Sequence, residues 1–147
     1  LTTIAANKDT IACDLQFTTG TIKLKGGSKI TEVGGTIAKE LFGVDRVLIG
    51  YCGTAAELGN MNRWLSNPTT KPPVFRNGNM LMLSKRGLFF SENLIDWHPV
   101  NQKYYAMGSG GAFALGALEA GKTPLEAVKV ASKHDAFTGM GFKEYKL

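Results

Sequence analysis

The residues with the clearest chemical potential stand at the start of the chain. Thr2 and Thr3 run directly into a strand-like stretch, Thr3-Ile4-Ala5-Ala6. An internal threonine hydroxyl does not ionise near neutral pH and needs a neighbouring base. A threonine at a free N-terminus carries that base itself, as an α-amine that ordinarily titrates at about 7.7–8.0. Such an amine takes up the hydroxyl proton directly or through one water while the oxygen attacks a carbonyl. This chemistry requires Thr2 to be the first residue, so Leu1 has to be removed. While Leu1 remains, the Thr2 nitrogen is an amide and no base.

Other side chains in the sequence could serve the same chemistry. Asp14 follows the apolar run Ile11-Ala12-Cys13, and a carboxylate in such a setting needs a partner. Lys29 stands in a strand-like segment after Gly26-Gly27, and Lys25 is the other lysine within reach of that role. Asp135 and Thr138 fit a hydrogen-bonding pair at a helix end. Gly53 fits a strand-to-helix turn, and Tyr51 fits either the core or a pocket wall. Gly108-Ser109-Gly110-Gly111 after a strand has some likeness to a phosphate-binding loop. Its glycine spacing does not fit G-x-G-x-x-G, and little chain follows for a complete βαβ unit.

The elements that must position these residues read as strands first and helices in blocks. Residues 2–7 and 10–17 are strand runs separated by Lys8-Asp9. Ile22–Lys25 and Ser28–Val33 read as a hairpin around Gly26-Gly27. A short segment, Thr36–Gly43, precedes the apolar strand Arg46–Cys52. Leu58, Met61 and Leu65 recur at helical spacing in a helix over Ala55–Leu65, ended by Asn67-Pro68. Residues 79–84 and 87–91 form a hairpin about Lys85-Arg86, and a strand follows over Lys103–Met107. A small-residue helix runs from Ala112 to Ala120. Thr123-Pro124-Leu125-Glu126 then starts a helix to about Asp135, with N-cap Thr, N1 Pro and N3 Glu. The tail, Gly141–Leu147, reads as a last strand. Hairpins with helices grouped in blocks predict an α+β fold with antiparallel sheets.

Composition narrows the function classes. A length of 147 residues fits one domain, spanning 1–147, with 44% hydrophobic residues to build a core. The net charge is +5, yet the 17 basic residues are scattered and no aromatic-basic stripe appears, so nucleic acid is not an expected partner. No apolar run is long enough for a membrane span. Cys13 and Cys52 lie in apolar strand segments and read as small buried hydrophobes rather than a disulfide framework, which favours a cytoplasmic setting. His98 and His134 have no metal-ligand spacing, so a metal site is not expected.

Taken in order, Thr2-Thr3-Ile4, Ile11-Ala12-Cys13-Asp14, Ser28-Lys29-Ile30, Gly50-Tyr51-Cys52-Gly53-Thr54-Ala55-Ala56, Met107-Gly108-Ser109-Gly110-Gly111 and His134-Asp135-Ala136-Phe137-Thr138-Gly139 carry a family resemblance. The chain resembles the proteasome β-subunit and HslV-like threonine peptidases among the N-terminal-nucleophile hydrolases. The last segment is similar to their Arg-Asp-Ala-Tyr-Ser-Gly stretch. The resemblance implies a four-layer αββα sandwich. It implies Thr2 as nucleophile, with Lys29 beside it and Asp14 paired to Lys29. Ser109, Asp135 and Thr138 would hold the amine and its water. The Gly53 N–H would serve as oxyanion donor, and Tyr51 would line the specificity pocket.

The activity so implied is cofactor-free hydrolysis of peptide bonds in peptides or unfolded proteins, through an acyl-enzyme on Thr2. It would take place inside a homo-oligomer of one ring or stacked rings, with an ATPase unfoldase as a conceivable partner. The helix Ala55–Leu65 and the helices between Ala112 and Asp135 would make the subunit contacts. The chain departs from the family in its shortened stretch between Leu65 and Asn79. It departs again in the Asp14–Lys29 interval, one residue short, which demands a tight loop near Gly20. Two other readings remain open on sequence: a catalytically silent ring-forming protein, and an amidohydrolase acting on a small amide.

Overall fold

The structure is a computed structural model that describes residues 2–68 and 71–147. Its strands alternate residues between two faces, and that alternation builds the layers. β1 (Thr3–Asn7), β2 (Thr10–Asp14), β10 (Tyr104–Gly108) and β11 (Phe142–Lys146) form one antiparallel sheet in the order β10-β1-β2-β11. β5 (Ile30–Gly34), β6 (Arg46–Cys52), β7 (Asn79–Ser84), β8 (Gly87–Ser91) and the two-residue β9 (His98–Pro99) form a second, in sequence order. Ile4, Ala6, Ile11 and Cys13 of the first sheet meet Leu48, Cys52, Leu81 and Leu83 of the second in a buried layer between the sheets.

The opposite faces are covered by helices. Ala5, Ala12 and Ala106 turn outward onto α3 (Gly111–Glu119) and α4 (Pro124–His134), which answer with Ala114, Ala117, Ala127, Val128 and Ala131. Small side chains on both partners let these helices lie close to the sheet. Val47, Ile49 and Tyr51 of β6 face the other way, with Met80 and Met82. There they pack on Ala38 of α1 (Gly35–Phe42) and on Leu58, Met61 and Leu65 of α2 (Ala55–Ser66). The result is an α+β sandwich of two antiparallel sheets with helices on both outer faces, as the sequence predicts.

The local chemistry of the ends matches the sequence where caps are strong. The Thr123 hydroxyl accepts a hydrogen bond from the Glu126 N–H while the Glu126 carboxylate accepts one from the Thr123 N–H, completing a capping box with Pro124 in the first turn. Thr54 caps α2 through the Glu57 N–H.

Two expectations are corrected. The run over 10–17 is broken at Leu15, whose N–H turns away to the carbonyls of Gly139 and Gly141 at 3.2 and 3.0 Å. And Ile22–Lys25, β4, pairs backward with β3 (Gln16–Thr19), not forward across Gly26-Gly27; β5 pairs with β6 instead. The tight turn at Gly20 that the short Asp14–Lys29 interval demands is the tip of this β3–β4 hairpin. The segment Thr36–Gly43 holds the body of α1, which ends at Phe42 with Gly43 as its left-handed C-cap. Residues 71–78, in the shortened stretch, carry no helix or strand, and Thr69 and Thr70 lie outside the described residues. Cys13 and Cys52 are buried and unpaired.

Candidate active site

Thr3 at the start of β1 pairs with Gly108 at the end of β10, which puts Thr2 next to Ser109 at the mouth of the first sheet. Asp14 closes β2, the strand beside β1, and Lys29 precedes β5 of the facing sheet. The three side chains meet between the sheets, all buried: Thr2 is 2% exposed, Asp14 0% and Lys29 3%. The Thr2 hydroxyl donates to Asp14 Oδ1 and accepts from Lys29 Nζ. Lys29 Nζ also donates to Asp14 Oδ1 at 2.9 Å and to the Gln16 carbonyl at 2.5 Å. Those three acceptors use the three N–H bonds of an ammonium. Lys25, the other lysine within reach of this role by sequence, is exposed on β4.

Asp14 is held as completely as it is buried. Oδ1 accepts from the Thr3 N–H at 3.1 Å as well as from Lys29 and Thr2. Oδ2 accepts from the Gln16 and Gly139 N–H groups at 3.3 and 3.1 Å. A carboxylate so buried is tolerable only with such a complement of donors. Among the described residues no buried side-chain nitrogen or oxygen lacks a partner.

A second polar cluster lies beside the first. Asp135, the C-cap of α4, accepts from Ser109 Oγ and from Thr138 Oγ1, each at 2.6 Å, on Oδ2. Its Oδ1 accepts from the Phe137 N–H at 3.3 Å. Burial disfavours its charge, but the hydrogen bonds from Ser109, Thr138 and Phe137 outweigh that and hold the carboxyl below the ordinary aspartate range. Thr138 spends its proton on Asp135, so Thr3 Oγ1, 2.7 Å away, donates to Thr138 Oγ1. Ser109 Oγ and the Gly110 N–H also reach the Thr2 carbonyl, at 3.3 and 3.4 Å.

The Gly-Ser-Gly-Gly turn has a different use from a phosphate loop: it lets backbone approach the first residues of β1. A Cβ at Gly108 would fall 2.0 Å from the Thr2 carbonyl oxygen, and one at Gly110 2.1 Å from Thr3 Oγ1. No side chain fits at either place.

Gly53 lies one residue beyond the last β6–β7 pair, Cys52↔Asn79, at the lip of a groove of about 410 Å³. Phe17, Thr18, Thr19, Thr54, Ala55 and Asn77 form the rest of its lining. Gly53 has φ +153°, and a Cβ there would meet the Tyr51 hydroxyl at 2.3 Å. Tyr51 itself does not line the groove. It is 2% exposed in the layer under α1 and α2, leans on the Phe75 ring and donates to Glu57 Oε1 at 3.0 Å. The structure therefore places it in the core behind Gly53. Burial first, then the Glu57 hydrogen bond and charge, push its hydroxyl pKa up.

Thiol chemistry has no foothold here. Cys52 is close to the Gly108 turn, but burial pushes its pKa up to about 12, and burial also raises that of Cys13. Among the described residues no group of His, Cys, Asp or Glu side chains has the makings of a metal site, and no helix is long and apolar enough to cross a membrane. Sequence reasoning missed Thr3, Gln16 and the Gly139 N–H. For Thr3 a signal existed: it alternates with Ile4 and shares the face of Ala5, which turns toward α4. Leu1 lies outside the described residues.

No protein-family model and no curated protein matches the chain. Solved structures do. HslV from Trypanosoma brucei is 19% identical and superposes with a TM-score of 0.68 over 99% of this chain and 98% of its own. BPH from Thiobacillus denitrificans, solved in complex with epoxomicin, is 16% identical, with a TM-score of 0.69 over 99% and 97%. An Anbu mutant from Hyphomicrobium sp. strain MC1 is 12% identical, with a TM-score of 0.74 over all of this chain and 82% of its own. At these identities the likeness is one of architecture: the chain has the fold of the HslV and proteasome-like N-terminal-nucleophile hydrolases.

Proposed function

We propose that the chain is a threonine-type endopeptidase that works from Thr2 once Leu1 has been removed. The observation that carries this reading is the Thr2 hydroxyl held between the Asp14 carboxylate and the Lys29 ammonium. The fold shared with HslV and BPH supports it. In the first step Thr2 Oγ1 attacks a peptide carbonyl, and its proton passes to the freed α-amine directly or through a water. Lys29 stabilises the charge that develops on the oxygen, and its positive charge favours the neutral, basic amine. Asp14 keeps Lys29 aimed. The Gly53 N–H receives the tetrahedral oxyanion. The leaving amine takes the proton back, and an ester on Thr2 remains. Water, deprotonated by the same amine, then hydrolyses that ester. Ser109, Asp135 and Thr138 line the amine's side of Thr2 and hold it and the water in place.

The test begins with the N-terminus. Intact mass of the purified protein reads whether Thr2 leads the chain. Incubation with epoxomicin, the compound found on BPH, then reads whether that terminus reacts. A chain starting at Thr2 that gains the mass of epoxomicin and cleaves unfolded casein carries the reading. One that starts at Thr2, stays unmodified and leaves casein intact overturns it.

We further infer a closed homo-oligomer, one ring or stacked rings, in which α2, α3 and α4 supply subunit contacts. An ATPase unfoldase suits such a chamber as the supplier of unfolded chain. A solution mass equal to one 15.8 kDa chain at micromolar concentration would remove the chamber and leave the hydrolase. Electron micrographs distinguish a ring from an open spiral.

A further inference from the structure

Lys29 has a neighbour that hydrogen bonding does not explain. Its Nζ sits 5.0 Å from the centroid of the Phe17 ring. That is within the reach at which a cation is attracted to an aromatic face. The ring has little freedom to be elsewhere. Phe17 follows Gln16, whose carbonyl accepts from the same Nζ. The ring also lies against Gly26, where a Cβ would fall 2.2 Å from two ring carbons. Gly26 is itself pinned, because its N–H donates to the Leu15 carbonyl at 2.8 Å. The β3–β4 hairpin thus folds back on its own exit and presses one aromatic ring onto the ammonium. The same ring is part of the lining of the groove beside Gly53.

From this geometry we infer that Phe17 is a positioning residue for the reaction. It caps the Lys29 ammonium on the side open to the groove, shields it from water and holds it on the Thr2 hydroxyl. The inference rests on the hydrolase reading above. It explains why position 26 has no side chain although its backbone needs no positive φ: any Cβ would push the ring off the lysine.

A wall residue and a cap differ in what they change. A wall alters KM and the ranking of substrates. A cap alters kcat alike for every substrate and leaves the ranking intact. The experiment uses N-capped tripeptide coumarin amides with Ala, Leu, Lys or Glu next to the scissile bond. Phe17→Leu keeps an apolar side chain but loses the ring face, and its kcat is expected to fall about two- to thirtyfold on all of them. Phe17→Tyr restores the face and the rate. Gly26→Ala leaves Phe17 in the sequence but displaces its ring, so it reproduces the Phe17→Leu loss.

In parallel, protein labelled with ¹³C at lysine Cε reads the contact without any turnover. The Lys29 resonance, assigned as the one missing in Lys29→Arg, carries an upfield ring-current shift in wild type and Phe17→Tyr. Phe17→Leu and Gly26→Ala lose that shift. An unchanged kcat in Phe17→Leu or Gly26→Ala overturns the inference, as does a loss confined to KM or to one substrate. A wild type that hydrolyses none of the amides overturns the hydrolase reading and this inference with it, even with the ring-current shift in place. A wild type that does hydrolyse them separates the two.

Discussion

Two aspartates sit within one hydrogen-bond network of the same threonine pair, and they are held in opposite ways. Asp14 is sealed between the sheets and gathers a lysine ammonium, a threonine hydroxyl and backbone N–H groups of Thr3, Gln16 and Gly139. Asp135 stands at a helix end, partly open to solvent, and gathers the neutral hydroxyls of Ser109 and Thr138 with one backbone N–H. The first is a fixed charge pair whose separation would leave a bare charge in a dry interior. The second is a hydroxyl relay whose protons can be reassigned at small cost, because neutral donors exchange partners more cheaply than ions do. The covalent chemistry proposed for Thr2 calls for both: an anchor that does not move and a neighbouring set of hydroxyls that can.

That contrast breaks most completely at the residue the two networks share. Thr2→Ala removes the oxygen that Asp14 and Lys29 both address, and its loss of hydrolysis is expected to be on the order of 10⁴-fold or more. Stability should change little, since no charge is stranded. Casein cleavage and thermal unfolding measured on one preparation check both halves. Turnover near the wild-type rate would end the mechanism.

Lys29→Ala tests the anchor itself. It strands Asp14 in a fully buried position, and the expected cost is about 3–5 kcal/mol of stability with activity lost. Lys29→Arg is expected to fail in activity too, because a planar fork cannot meet Thr2, Asp14 and the Gln16 carbonyl from one nitrogen. Urea unfolding of the variants beside wild type reads the stability difference.

Asp135→Asn tests the relay. An amide has one acceptor oxygen where the carboxylate offers two, so either the bond from the Phe137 N–H or the two from Ser109 and Thr138 are lost. Activity should drop about tenfold to a hundredfold, the worth of one hydrogen bond to a charged group. Folding should suffer much less than in Lys29→Ala. The pH dependence has a definite sign. The carboxyl pKa of Asp135 is lowered in the folded state, so its contribution to stability is fully present above the ordinary aspartate value of about 3.9. It is lost as pH falls through the lowered folded value. The stability gap between wild type and Asp135→Asn should therefore be open at pH 6 and narrow as the protein is acidified below the ordinary aspartate value. A gap that widens in acid would reverse the assignment.

The sequence disclosed the anchor better than the relay's surroundings, for physical reasons. Asp14 after three apolar residues announces a buried carboxylate, and the strands Arg46–Cys52, 79–84 and 87–91 are bounded by their own turn residues, so their limits agree with the structure. The capping box at Thr123 is likewise local and legible. The β3–β4 pairing is not. Gly26-Gly27 is the stronger hairpin signal by composition, but Gly26 is spent on clearance for the Phe17 ring, and the turn falls at Gly20 instead. The break at Leu15 is invisible in sequence for another reason: its N–H partners lie more than a hundred residues away, at Gly139 and Gly141. Tyr51 shows the same limit. Its type and place allow a pocket wall, but it shares the face of Val47 and Ile49 under α1 and α2, where the Glu57 carboxylate accepts from its hydroxyl.

The smallest expected effect lies at the far end of the helix that delivers the relay. Asp135 is the C-cap of α4, and Thr123 is its N-cap, three turns away. Thr123→Ala removes the hydroxyl that accepts from the Glu126 N–H and leaves that donor to solvent. The expected cost is about 1 kcal/mol of stability. The helix is not expected to unwind at its other end. Ala127, Val128 and Ala131 are fully buried against the first sheet, and the Asp135 N–H still donates to the Ala131 carbonyl at 2.8 Å. Activity per folded molecule should therefore remain that of wild type, in contrast to Asp135→Asn, whose main loss is in rate. The pair is a crossed test of the comparison: a variant that weakens the scaffold without touching the chemistry, and one that weakens the chemistry far more than the scaffold. A fall in kcat for Thr123→Ala at a temperature where it is fully folded would mean that α4 transmits its N-terminal order to Asp135, and the relay would then depend on the whole helix and not on its last turn.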